Sequence, residues 1–86
     1  MHIKKTLKPL SESSFGDSFL IKEIKIEGPL RRRLLDLGFV KGAEISVLRK
    51  SPLGDPVAYR VSNTTIALRN DESSKIWGEI VRGNTK

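Results

Sequence analysis

The chain has 86 residues, a mass of 9.6 kDa and a formal charge of +6, from sixteen Lys and Arg against ten Asp and Glu. That length makes one small domain, burying roughly 60–65% of the surface its unfolded form exposes. With no cysteine and a single histidine, His2, the composition excludes a disulfide framework, thiol redox chemistry and any Cys/His zinc or iron–sulfur site.

Residues 1–9 read as a loose basic segment, carrying Lys4, Lys5 and Lys8 ahead of Pro9. The polar stretch after Met1 predicts no signal peptide. The longest apolar runs, such as Phe19-Leu20-Ile21, fall far short of the roughly 20 residues of a membrane-spanning helix. Leu10 to Ser14 reads as one helical turn capped by Ser11, with Leu10 and Phe15 as its core contacts. Gly16-Asp17 marks a turn. Ser18 to Ile26 reads as a strand because β-branched and aromatic residues dominate, although the apolar spacing after Ile21 fits neither period.

The clearest element is a helix of about nine residues between Gly28 and Gly38. Pro29 suits its first position, where a missing N–H costs nothing. Leu30, Leu34 and Leu37 form one apolar stripe. Gly38 supplies the left-handed residue that closes the last turn, so that Phe39 can fold back. Three alternating segments follow: Glu44 to Arg49, Val57 to Val61 and Thr64 to Arg69, in which Val47, Tyr59, Ile66 and Leu68 face inward. Ser51 to Pro56 joins the first pair as a hairpin loop. Ser62-Asn63 is a tighter turn in which Asn63 tolerates a positive φ. Asn70 is the expected cap of a short helical turn whose Asp71 and Glu72 suit its positive end. Ile76 to Val81 reads as the last strand. Residues 10–82 thus make a single domain, and 83–86 a tail. The fold expected is mostly β: a small, partly open five-stranded barrel with one or two short helices.

Catalytic chemistry finds little support. No carboxylates are spaced to converge as an acid–base pair, His2 is too near the end to serve a serine, and no phosphate-binding loop occurs. Asp55, Asp71, Glu72 and Glu79 could in principle meet around a hard cation, but a turn, a cap and strand ends explain each locally. No cofactor, metal ligand set or small-molecule substrate is expected. The informative residues are basic. Arg31, Arg32 and Arg33 crowd the first turns of the helix against its dipole, with Asp36 placed to offset part of that. They read either as a face for an acidic partner or as a solvated surface. In Pro52-Leu53-Gly54-Asp55-Pro56 two prolines stiffen a hairpin tip. Leu53 there either projects as an apolar anchor or folds back over the barrel mouth. Tyr59 lies on a core face and Trp77 stands alone, so the aromatic platforms of single-strand nucleic-acid binding are absent.

From about Phe15 to Val81 the sequence resembles the FeoA family of small cytoplasmic proteins of bacterial ferrous-iron uptake. The resemblance rests on Arg33-Leu34-Leu35-Asp36-Leu37-Gly38-Phe39-Val40-Lys41-Gly42, on Val47-Leu48-Arg49-Lys50-Ser51-Pro52-Leu53-Gly54-Asp55-Pro56-Val57 and on Ile66-Ala67-Leu68-Arg69. Lys41 departs from it, standing where the family pattern leads one to expect proline. The resemblance implies an SH3-like barrel and a partner, FeoB, the membrane protein that carries a cytoplasmic G-protein domain and the iron path. It implies a non-enzymatic accessory protein that binds FeoB and modulates its transport, nucleotide turnover or assembly, cytoplasmic and recruited to the inner membrane face. A protein of this kind without metal ligands acts through its partner.

By position, the helix face and the hairpin loop are the implied contact elements. The expected partner-binding residues are Leu30, Arg31, Arg32, Leu35, Pro52, Leu53 and Asp55. Arg31 and Arg32 would meet acidic protein or anionic lipid headgroups. The expected structural-core residues are Leu34, Leu37, Gly38, Gly42, Val47, Ile66 and Leu68. A basic small barrel that binds nucleic acid is the alternative, supported mainly by the +6 charge and predicting steep salt dependence. Self-association through open strand edges is a third reading.

Overall fold

The computed structural model describes residues 7–81. The expectations for the first six residues and for the tail after Val81 lie outside the described residues. Six strands form one antiparallel sheet: β1 (Lys8–Pro9), β2 (Ser18–Ile24), β3 (Glu44–Lys50), β4 (Val57–Val61), β5 (Thr64–Leu68) and β6 (Ile76–Val81). Their order across the sheet is β1-β6-β2-β3-β4-β5. A 3-10 turn (Leu10–Glu12) follows β1, α1 (Pro29–Leu37) joins β2 to β3, and α2 (Asn70–Ser73) joins β5 to β6.

The five expected strands are β2 to β6. The sixth, β1, pairs Lys8 and Pro9 with Gly78 and Trp77, so these two residues belong to the sheet rather than to a loose segment. Pro9 lacks an N–H and therefore sits where a ladder can spare one, in a strand at the sheet's edge. Two residues carry no period, which hides such a strand in sequence.

The ambiguous spacing of β2 has a mechanical origin. Its register against β6 shifts between Ile21 and Glu23, so the inward set runs Phe19, Ile21 and then Ile24. One extra residue resets the alternation, as a β-bulge does. A second shift, between Val47 and Arg49, bends β3 against β4 in the same way.

One core results, from Leu10, Phe19, Ile21, Ile24, Ile26, Leu34, Phe39, Ile45, Val47, Val57, Tyr59, Val61, Leu68 and Ile76. Leu30, Leu37 and Ile66 pack against it half-buried. Ile66 is only partly covered because β5 has a neighbour on one side alone. Gly78 is buried where β6 crosses β2, and a Cβ there would lie 2.0 Å from the Leu20 carbonyl oxygen.

Several local expectations are corrected. Phe15 is 75% exposed rather than in the core. The Ser14 N–H donates to Asp17 Oδ2 at 2.8 Å and the Asp17 N–H to Ser14 O at 2.9 Å, closing a tight corner with Phe15 on its outside. Pro9, not Ser11, occupies the cap position of the 3-10 turn, and Ser13 Oγ bonds the Leu10 carbonyl at 2.6 Å. The left-handed residue of the β4–β5 turn is Ser62, with φ 53°, rather than Asn63. Arg69 takes the cap position of α2, and Asn70 is its first residue. Gly42 is exposed in the turn from Val40 to Ala43 rather than in the core. That turn closes with Lys41 in place of the expected proline, through Ala43 N–H to Val40 O at 2.9 Å.

Candidate partner-docking surface

α1 forms where its sequence demands. Pro29 opens it and Gly38 ends it in the left-handed region at φ 112°. The Phe39 N–H then reaches Leu34 O at 2.9 Å and the Phe39 ring is fully buried, the arrangement that satisfies otherwise orphaned end carbonyls. The buried face is Leu34, with Leu30 and Leu37 beside it. Leu30 thus packs against the core while staying half-exposed. The outward face carries Arg32, Arg33, Leu35 and Asp36, all exposed. Gly28, Arg31, Arg32, Leu35 and Asp36 line a shallow groove of about 410 Å³.

Arg31 is committed elsewhere. Its Nη1 donates to the carbonyls of Ile24 at 2.9 Å and Ile26 at 3.4 Å, pinning the start of the helix to the chain that leaves β2. No acidic residue lies in the first turn of α1, and Asp36 stands in no ion pair with a described residue. The groove thus sets the solvated Arg32 beside Asp36, with Leu35, 37% exposed, as its apolar part, and Arg33 is solvated outside it.

The hairpin between β3 and β4 is internally braced. The Ser51 N–H donates to Pro56 O at 3.0 Å and the Gly54 N–H to Ser51 O at 2.8 Å. Asp55 Oδ1 accepts the Asn70 N–H at 2.9 Å, tying the tip to α2, while the residue stays exposed. Pro52 is exposed, and Leu53 is 93% exposed. The tip projects and does not fold over the core. Beneath it, the Tyr59 phenol is almost wholly buried. Burial pushes its pKa up from 10.0; a hydrogen bond with Ser73 opposes the shift and the Asp55 charge adds to it.

Strand direction separates these two elements. β2 starts opposite β3 residues that lead into the hairpin, with Ser18 paired to Ser46 and to Val81. Phe15, Val81 and the tip with Leu53 therefore share one end of the sheet. α1 follows the far end of β2, and Gly38 approaches Val61 and Ser62 at the β4–β5 turn, the opposite end. At about 3.3 Å per residue, β3 alone holds them roughly 20 Å apart. Arg31, Arg32 and Leu35 come together; Pro52 and Leu53 do not join them. Sequence reasoning missed Phe15 and Val81, 75% and 53% exposed, because an apolar residue carries no mark of the side it faces once alternation is broken.

The remaining carboxylates act locally. Glu72 Oε1 accepts the Arg69 N–H at 2.9 Å and Glu79 lies 3.9 Å from Lys22 Nζ. Among the described residues no three of His, Cys, Asp and Glu come together as a metal site, and no helix is long and apolar enough to cross a membrane. Trp77, half-buried, lies under Lys25 Nζ at 5.2 Å from the ring centre, which occupies that face.

Comparisons with known proteins identify the family and the fold. The FeoA domain family matches residues 8–80. A Porphyromonas gingivalis Fe(2+) transport protein A/Fe(2+) transporter FeoB fusion protein is 39% identical over 75 residues, covering 87% of this chain and 9% of that protein. The chain thus spans about a tenth of the length of this relative. The FeoA-like protein of Clostridium acetobutylicum superposes with a TM-score of 0.81 at 29% identity, over 96% of both chains. The zinc-complexed FeoA of Stenotrophomonas maltophilia, an SH3 domain protein, does so at 0.74 and 31% identity, over 86% of this chain and 95% of its own. With a mostly β, SH3-like fold and a family match along nearly its whole described length, the chain belongs to the FeoA family.

Proposed function

We propose that this chain is a non-enzymatic, cytoplasmic accessory domain of ferrous-iron uptake, which docks on a FeoB-type membrane protein with a G-protein domain and modulates its activity or assembly. The observation that carries the reading is the fused relative: a domain 39% identical to this chain lies in one polypeptide with FeoB. Covalent fusion raises the effective concentration of two modules that act together. The hairpin end is the apolar anchor, with Leu53 almost wholly exposed on a braced loop. A braced loop loses little conformational entropy on docking. Arg32 and Arg33 on α1 supply a second, electrostatic contact with acidic protein or with anionic lipid at the membrane face, roughly 20 Å away. Phosphate binding, metal binding and transport would all be the partner's chemistry.

Co-purification with full-length FeoB tests this. Retention in at least one nucleotide state is expected, and Leu53→Asp weakens it while leaving the melting temperature nearly unchanged. Absence of retention in both nucleotide states at low salt would sink the reading.

A further inference from the structure

The ladder between β4 and β5 leaves one row of backbone groups without a partner among the described residues. The two strands join through the two-residue turn Ser62-Asn63, with Val61 opposite Thr64. In such a hairpin the flanking pair is hydrogen-bonded and the pairs then alternate. Val61 with Thr64, Tyr59 with Ile66 and Val57 with Leu68 therefore exchange the ladder bonds. The pairs Arg60 with Thr65 and Ala58 with Ala67 do not, so the N–H and C=O of Thr65 and Ala67 point away from β4. Among the described residues nothing in the sheet lies beyond β5 and no other element packs substantially against it, and both residues are exposed. Among the described residues, no hydrogen bond from another part of the chain reaches these groups.

Natural edge strands are blunted by charge, proline or a bulge. Thr64-Thr65-Ile66-Ala67-Leu68 has no charged residue and no proline, and its register against β4 is unbroken. This stands out in a chain of net charge +6.

We propose that β5 is a homodimerisation edge, where two copies of this chain pair antiparallel about a two-fold axis at Ile66. The register is self-complementary. Thr65 faces Ala67 of the second copy, and Ala67 faces its Thr65, so each pair exchanges both free N–H and C=O groups. Ile66 meets its own symmetry mate on the inward face and loses the exposure that an edge position leaves it. Charge favours this register: Arg69 falls opposite Asn63 of the second copy, not opposite another cation. Arg60, the one cation on β4, is separated from its mate by three strand spacings of about 4.8 Å, beyond the Debye length at ordinary ionic strength. The residual repulsion is that of two net positive bodies, so the dimer tightens as salt rises. Docking through α1 cations, or binding to nucleic acid, would weaken instead. The proposal is independent of the FeoB reading.

The test uses the full chain, whose lack of cysteine makes engineered thiols unambiguous. Sedimentation over a concentration series should reach twice the 9.6 kDa chain mass, at lower concentration in high salt. Thr65→Cys mixed with Ala67→Cys should crosslink on mild oxidation, because a hydrogen-bonded antiparallel pair stands at about 5.5 Å between Cα atoms, within disulfide reach. Either variant alone should crosslink far less. Ala67→Pro removes an N–H that the β4 ladder does not use, and Thr65→Lys adds an edge charge; each should leave the fold intact by circular dichroism and keep the chain monomeric. A chain monomeric at all concentrations and salts, leaving the edge to some other strand, overturns the proposal. So does a dimer that survives both Ala67→Pro and Thr65→Lys, or crosslinking that is equal in the mixed and single samples.

Discussion

The Arg31 guanidinium donates to the carbonyls of Ile24 and Ile26, while the neighbouring Arg32 makes no such bond and rims the groove. A run of three arginines therefore contains one fastener and two solvated cations, a division that depends on where the chain leaving β2 happens to pass. Arg31→Ala should cost about 1.5 kcal/mol or more of stability in urea titrations, the low end of the net value of a hydrogen bond from a charged group. Arg32→Ala should stay within about 0.5 kcal/mol and lower affinity for FeoB, most visibly at low salt. Tyr59 carries a prediction of a different kind. Its folded pKa is raised above 10.0 by burial, so the folded state holds the phenolic proton after the unfolded state has lost it. The group's contribution is fully present below pH 10 and is lost as pH rises through the folded value. Alkaline titration of stability should show a downward slope beginning near pH 10, and Tyr59→Phe should flatten it.

At the scale of elements, β6 and β2 approach so closely at Gly78 that any side chain would strike the Leu20 carbonyl and the Phe19 ring. Gly78→Ala should destabilise by about 3 kcal/mol or more, since backbone cannot yield as a flexible side chain can, and calorimetry or chemical denaturation would read it. Elements bounded by backbone requirements were legible in sequence. Pro29 and Gly38 delimit α1 within a residue, because φ restriction and left-handed geometry are properties of those residues themselves. The bulges at β2 and β3 were not, because a register shift is imposed by the partner strand. The side taken by Phe15 and Leu53 was hidden for the same reason. A hydrogen-bonded corner turns one outward, and a braced loop projects the other.

The whole molecule is a sheet with two distinct ends and an uncharged edge. α1 with its cations stands at one end; Leu53, Phe15 and Val81 are exposed at the other. The contact residues read from sequence divide between those ends, a separation that only the strand directions reveal. The charge of +6 then has a place, concentrated in part on one short helix. A partner that contacts both ends must present an apolar seat and an acidic patch roughly 20 Å apart. The direct measurement is the affinity of this chain for full-length FeoB in detergent or nanodiscs, by surface-based binding in each nucleotide state. Saturable binding is expected in at least one state, weakened about tenfold or more by Leu53→Asp with an unchanged melting temperature. Absence of binding in every nucleotide state, or equal affinity of wild type and Leu53→Asp, would contradict it.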